Sequence, residues 1–249
     1  MIFTFRINVM EYRYTAIVLR KKEVGETDRM YTLYTKEQGK IRVVARGVRK
    51  PEAKLAGQLE DLSEVAVTVV KGRGTGKIAG ALLENIFPHV RTDYEILRRV
   101  LQAVSWFERL VDVDEPDPEL FQHLRDYVAL ADGLAKEEKI LEFRLLTQAF
   151  LFQVFARLGY QIETGVSALS GERLRAGEQH FFSPKAGGML TEAEAPLERQ
   201  AFAIHEHTIK LLRLFLQNRL QACLRVKVDE DDLRDLELVS KRHFQWILH

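Results

Sequence analysis

Residues Lys40–Arg46 alternate between two faces: Ile41, Val43 and Ala45 share one parity, and Arg42, Val44 and Arg46 the other. Alternation of this kind predicts a strand with one side on a core and, here, a basic side turned outward. The same reading gives strands over Tyr14–Lys22, Arg29–Thr35, Val65–Lys71 and roughly Lys77–Leu83, all rich in β-branched and aromatic residues. Gly25, the Glu37-Gln38-Gly39 turn, Pro51 and the Gly72–Gly76 loop separate them. Five short strands with mostly short turns fit a small closed barrel, for which an OB-fold is the five-stranded option and an SH3-like barrel the alternative. The longer connection, Gly47–Ser63, is where an OB-fold usually places its helix; glycine and proline interrupt it, so any helix there is short.

From Arg91 the period becomes helical. Ile96, Leu97, Val100, Leu101, Val104, Phe107 and Val111 follow i, i+3, i+4 spacing. Pro116–Leu134 predicts a second helix, with Asp117 as cap and Pro118 in the first turn. Ile140–Leu158 is apolar nearly all round, which marks the central helix of a bundle, and Gly159 stops it. Tyr160–Glu194 lacks periodicity, and so long an irregular segment needs a reason. Helices resume at about Pro196–Leu224 and Asp231–Leu248, the latter preceded by the Asp229–Asp232 acids that suit a helix N-terminus. The fold class is therefore α+β: a five-stranded barrel over residues 1–86 and a mostly helical domain over 87–249, with an irregular insertion at 160–195.

Charge sharpens this division. Net charge over 249 residues is only +1, but residues 1–86 hold 16 Lys and Arg against 10 Asp and Glu, a balance of +6; the remainder holds 21 against 26, a balance of −5. An anion-binding surface is thus expected at the front. The candidates are Lys40, Arg42, Arg46, Arg49, Lys50 and Lys54 in the run GKIRVVARGVRKPEAK, joined by Arg20, Lys21 and Lys22 at the end of the first strand and by Lys71, Arg73 and Lys77 around the glycine loop. A merely solvated basic face is the alternative. Tyr31 and Tyr34 are candidate base-stacking aromatics; strand parity allows at most one of them that role and sends the other to the core.

Other chemistry is weak. Gly72-Arg73-Gly74-Thr75-Gly76-Lys77 lacks the spacing of a phosphate loop, has Ile78 where Ser or Thr would hold Mg²⁺, and joins strand to strand. His205 and His207, two apart on a helix, project about 200° from each other and cannot share an ion. Cys223 is the only cysteine, which excludes an internal disulfide and a cysteine metal cluster. Among Leu216, Leu220 and Leu224 it reads as a buried structural thiol. No run is long and apolar enough for a bilayer span, the opening MIFTFRINV is too short for a signal peptide, and Met10 is an alternative start. The expectation is a soluble cytoplasmic protein without catalysis.

The order of several short runs then resembles a family: YTAIVLR from Tyr14, YTLYTKEQGKI from Tyr31, VARGVR from Val44, GQLE from Gly57, LGY from Leu158 and FSPKAGG from Phe182. Together they resemble the bacterial recombination mediator family RecO across nearly the whole chain. The resemblance implies an N-terminal OB-fold and a helical C-terminal domain. It implies binding to single- and double-stranded DNA, annealing of strands coated with single-strand binding protein (SSB), and a hydrophobic site with a few bases in the helical domain that receives the acidic C-terminal tail of SSB. It further implies action with RecR to load RecA, in bacterial cytoplasm at the nucleoid. Many members carry two CxxC pairs that bind zinc. Alignment on Gly159-Tyr160 and Gly187-Gly188 puts those positions at Ser167, Ser170, Thr191 and Glu194, so the resemblance implies a lobe that has kept its loop and lost its metal. An RNA-binding or ribosome-associated module and a protein-binding scaffold are the other functional readings of a basic barrel joined to helices.

Overall fold

The alternating runs become five strands: β1 Met10–Val24, β2 Asp28–Thr35, β3 Gly39–Ala45, β4 Glu64–Lys71 and β5 Gly76–Asn85. The computed structural model describes residues 10–50, 52–53, 55–72 and 74–249; the sequence expectations for residues 1–9, Lys54 and Arg73 lie outside them. The chain divides into two compact units, one of residues 1–92 with 108–128, the other of 93–107 with 129–249.

In the first unit the strands close a barrel in the order β1-β2-β3-β5-β4, with β1 returning to pair with β4. Every pairing is antiparallel except a short parallel one between β3 and β5, where Val43 meets Gly76 and Val44 meets Lys77. A Cβ on Gly76 would stand 2.9 Å from Val69 Cγ1, so glycine lets the strands approach here. Side chains of one parity fill the interior: Ala16, Val18, Leu33, Ile41, Val43, Ala45, Val65, Val67 and Val69 among them. A bulge between Val18 and Arg20 shifts the register of β1, so Arg20 and Lys22 take the outward parity and Lys21 the inward one. Among the described residues of the Gly47–Ser63 connection, Ala56–Gln58 form a 3₁₀ turn.

The segment 108–128 belongs to this unit. It comprises the end of helix α1 (Tyr94–Leu110), a connection, and the start of helix α2 (Pro118–Lys136). Asp117 caps α2, its Oδ1 accepting from the amides of Glu119 and Leu120 at 3.1 and 2.9 Å. Tyr34 lies parallel to Phe121 at 6.5 Å between ring centroids. Gly39 sits at φ +68°, and a Cβ there would be 2.0 Å from the Glu115 carbonyl oxygen, so no other residue fits this turn against the segment.

The second unit is built around α3 (Ile140–Arg157), in which every residue from Leu145 to Phe152 is buried. Gly159, at φ +88°, ends it. Helices α4 (Glu206–Gln217), α5 (Leu220–Cys223) and α6 (Glu230–Ile247) follow a small sheet of β6 (His180–Ser183), β7 (Gly188–Thr191) and β8 (Phe202–Ile204) in the order β7-β6-β8. The sequence expectation of one helix from Pro196 to Leu224 is corrected: Phe202–Ile204 is a strand, and extended backbone at Asn218 and Arg219 separates two helices. Asp229 and Asp232 cap α6 reciprocally, each carboxylate accepting from the other's amide, at 2.9 and 3.2 Å. Cys223 is buried, and burial pushes its thiol up to about 11. Among the described residues no helix is long and apolar enough to cross a membrane.

Candidate nucleic-acid interface

Strand register assembles a basic surface on the outside of the barrel. Residues paired across neighbouring strands project to the same side. Arg20 pairs with Thr32 and Thr32 with Arg42, which makes one row across β1, β2 and β3. Lys22 pairs with Met30, Met30 with Val44 and Val44 with Lys77, which makes a second row that reaches β5. Lys22, Arg42 and Lys77 are exposed, with half-buried Met30 and Val44 between them. Adjacent strands lie about 4.8 Å apart, so the second row spans about 14 Å. Arg46 continues the outward parity beyond Val44 and is exposed, as are Arg49 and Lys50 in the following turn.

Several expected cations are otherwise engaged. Lys40 has the outward parity but is only 7% exposed. Its ammonium donates to the backbone carbonyls of Glu108, at 2.7 Å, and Val111. Burial depresses its pKa against the opposing pull of Glu108. Lys40 is thus a clamp on the 108–128 segment, a correction to its expected place among the phosphate contacts. Arg20 stays on the surface, paired with the nearly buried Glu108 carboxylate at 2.7 Å. Lys21 turns inward to Glu60, and Arg49 meets Glu23 at 3.3 Å. Lys71 lies on the inward parity, its ammonium 5.3 and 5.8 Å from the ring centroids of Tyr12 and Tyr14.

Tyr31 and Tyr34 are 0% and 1% exposed, so neither can receive a base; both belong to the packed layers, and burial pushes the Tyr31 phenol up. The half-buried aromatic of the barrel is Tyr12, stacked with Tyr14 at 6.1 Å, which sequence reasoning missed. The signal was present in the alternating Tyr12-Arg13-Tyr14 that opens β1. In the turn after β3, Asp28 accepts from the Gly47 amide at 2.8 Å, a bond that holds its carboxyl below the usual range, helped by Arg46 and Lys50 nearby.

The second unit offers a cleft between α1, α3 and α6. Ala103, Trp106 and Leu151 give it apolar walls, and Arg99, Arg144 and Lys241 a basic rim. Trp106 is held flat against Phe244, with ring centroids 4.3 Å apart. Gln148, also lining the cleft, is 5% exposed, and its Oε1 has no protein partner. An apolar floor, several cations and an unpaired acceptor together suit a short acidic peptide that brings its own amide donors.

The four positions aligned to zinc ligands do come together. Glu194 Oε2 accepts from Ser167 Oγ at 2.6 Å, Thr191 Oγ1 at 2.9 Å and the Thr191 amide at 2.9 Å. Burial alone would raise the Glu194 carboxyl, but the donors from Ser167, Ser170 and Thr191 outweigh it and hold it at about 2. Hydroxyls are poor zinc ligands, and this carboxylate oxygen is already saturated, so the donor set fits zinc badly. His205 and His207 diverge, to Asp235 and Asp232 respectively, each at 2.8 Å. Among the described residues no group of three or more His, Cys, Asp or Glu is arranged for a metal ion.

Comparison with known proteins agrees along the chain. The family model for the recombination protein O N terminal matches residues 10–87, and that for the recombination protein O C terminal matches residues 92–248. The DNA repair protein RecO of Dehalococcoides mccartyi strain BAV1 is 26% identical over 238 residues, covering 96% of this chain and 91% of that protein. RecO of Roseiflexus sp. strain RS-1 is 28% identical over 238 residues, and RecO of Myxococcus xanthus is 32% identical over 191 residues, 76% of this chain and 75% of its own.

Proposed function

This chain belongs to the RecO family of DNA repair proteins, and from that premise we propose that it is a recombination mediator that binds DNA on the outer face of its barrel. The observation that carries the reading is the register that sets Lys22 and Lys77 in one outward row and Arg20 and Arg42 in the row beside it. We read the barrel as an OB-fold, on the grounds of five strands closed in the order β1-β2-β3-β5-β4. In this reading the lysines and arginines neutralise phosphates of single- or double-stranded DNA, while Met30 and Val44 give a low apolar floor on which the backbone rests. Such contacts position a strand without reading its sequence. Annealing follows from screening: two strands whose phosphates are neutralised on one protein repel each other less, and no nucleotide hydrolysis is required. The helical cleft would receive the acidic C-terminal tail of SSB, its carboxylates on the arginine rim and its apolar end against Trp106 and Leu151. RecR is the further partner, in the step that loads RecA. The lobe around Glu194 is proposed to hold itself together without zinc.

The test is annealing of complementary SSB-coated strands by the full-length protein, beside binding of DNA and RNA over a range of salt. The expected result is annealing, with DNA affinity that falls steeply as salt rises. Tight RNA binding without annealing would favour an RNA-binding module, and salt-insensitive or absent nucleic-acid binding a protein scaffold.

A further inference from the structure

Among the described residues that line the cleft of the helical unit, Glu237 is the one carboxylate. A single oxygen, Oε1, accepts from Arg144 Nε at 2.8 Å and lies 3.3 Å from Arg99 Nη1. Each arginine has a second anion: Glu230 for Arg144, at 2.7 Å, and Glu95, which Arg99 shares with Arg98, at 2.8 Å. Loss of the Glu237 contact would therefore leave both guanidinium groups held in place but short of one acceptor. Glu237 is 30% exposed, so it can swing to solvent, whereas Arg144 is 12% exposed and fixed. Lys241, one helical turn on, has no ion-pair partner among the described residues.

We propose that Glu237 is a built-in competitor, seated where a carboxylate of an incoming acidic peptide binds, and that such a peptide docks by displacing it. The inference rests on the reading of this cleft as a peptide site and concerns its regulation. An isolated carboxylate gains little, because it replaces one anion by another. A peptide gains when it also brings an apolar side chain for Trp106 and Leu151, a second carboxylate for Lys241, or an amide for Gln148 Oε1. The competitor thus lowers affinity for acidic ligands in general and keeps selectivity for those with an apolar end, a case of specificity gained by penalising the wrong partner.

The experiment titrates the full-length protein with a labelled synthetic peptide of consecutive aspartates ending in two apolar residues and a free carboxylate. Glu237→Gln keeps shape and hydrogen bonding and removes the charge; it should bind about two- to fivefold more tightly, the range expected when a partly exposed ion pair no longer competes. Glu237→Asp draws the carboxylate back by one methylene and should fall between Gln and wild type, which keeps the test open if the first variant is unstable. Lys241→Gln should bind more weakly than wild type. If wild type binds and neither Glu237 variant binds more tightly, the competitor is overturned while the peptide site stands. If neither wild type nor the variants bind, the peptide site is overturned and the competitor with it.

Discussion

Replacement of Lys22, Arg42 and Lys77 together by alanine tests the outer face most directly. All three are exposed, and their rows are fixed by strand register rather than by side-chain bonds, so the fold has little to lose. Exposed substitutions of this kind change stability by less than about 0.5 kcal/mol each, and the unfolding midpoint should barely move. The effect on binding is much larger. Each phosphate contact on a single strand contributes about 0.7 to the slope of log affinity against log salt, so three contacts should flatten it by about 2. At 0.1 M salt that difference amounts to roughly a hundredfold loss, or about 3 kcal/mol, shrinking towards nothing as salt approaches 1 M. Anisotropy of a labelled oligonucleotide, titrated at several salt concentrations, reads both quantities. Unrelated sequences should lose affinity alike. Parallel lines for wild type and triple variant would refute the reasoning, because a constant offset is not the signature of lost phosphate contacts.

Lys40→Met should do the reverse: it leaves the Glu108 and Val111 carbonyls without their donor and should cost about 1–3 kcal/mol in denaturant unfolding, with the salt slope of DNA binding unchanged. Glu194, held at about 2 against an ordinary 4.5, contributes stability that is present above pH 4.5 and lost as pH falls towards 2; Glu194→Gln should flatten that acid limb in pH-dependent unfolding. Elemental analysis of the purified protein should return no stoichiometric zinc, and strong chelator should leave the unfolding midpoint in place; about one zinc per chain would count against the hydrogen-bonded lobe.

The strands were legible because alternation is a local pattern, and Ile41, Val43 and Ala45 are indeed buried while Arg42 and Arg46 are exposed. What the pattern could not carry was cover from far along the chain. Lys40 and Arg42 have the same parity, yet only Lys40 lies beneath residues 108–113, so one is a clamp and the other a surface cation. Tyr34 was lost to the candidate site for the same reason, stacked on Phe121. The bulge at Val18–Arg20 inverts parity within one strand, so that Arg20 and Lys22 face out and Lys21 faces in, and composition gives no sign of it. Strand β8 escaped notice because three residues are too few to show a period. The Ser167, Ser170, Thr191 and Glu194 positions, found only by alignment to two glycine landmarks, come together around the Glu194 carboxylate, with Ser167 and Thr191 on one of its oxygens.

The fit of Gly39 against Glu115 has a bearing on how the protein is made. The barrel strands end at Asn85, but the layer that covers Tyr34 and captures the Lys40 ammonium is supplied by residues 108–128. Synthesis runs from the N-terminus, so a ribosome that has just released the last strand holds a barrel with an open flank, an apolar patch and an unpaired ammonium side by side. The flank closes only after some forty further residues have emerged, a delay of several seconds at ordinary elongation rates of about 5–20 residues per second. Fragments cut at the end of the strands inherit that open flank permanently, and any folding helper that attends this chain has its work concentrated in that interval.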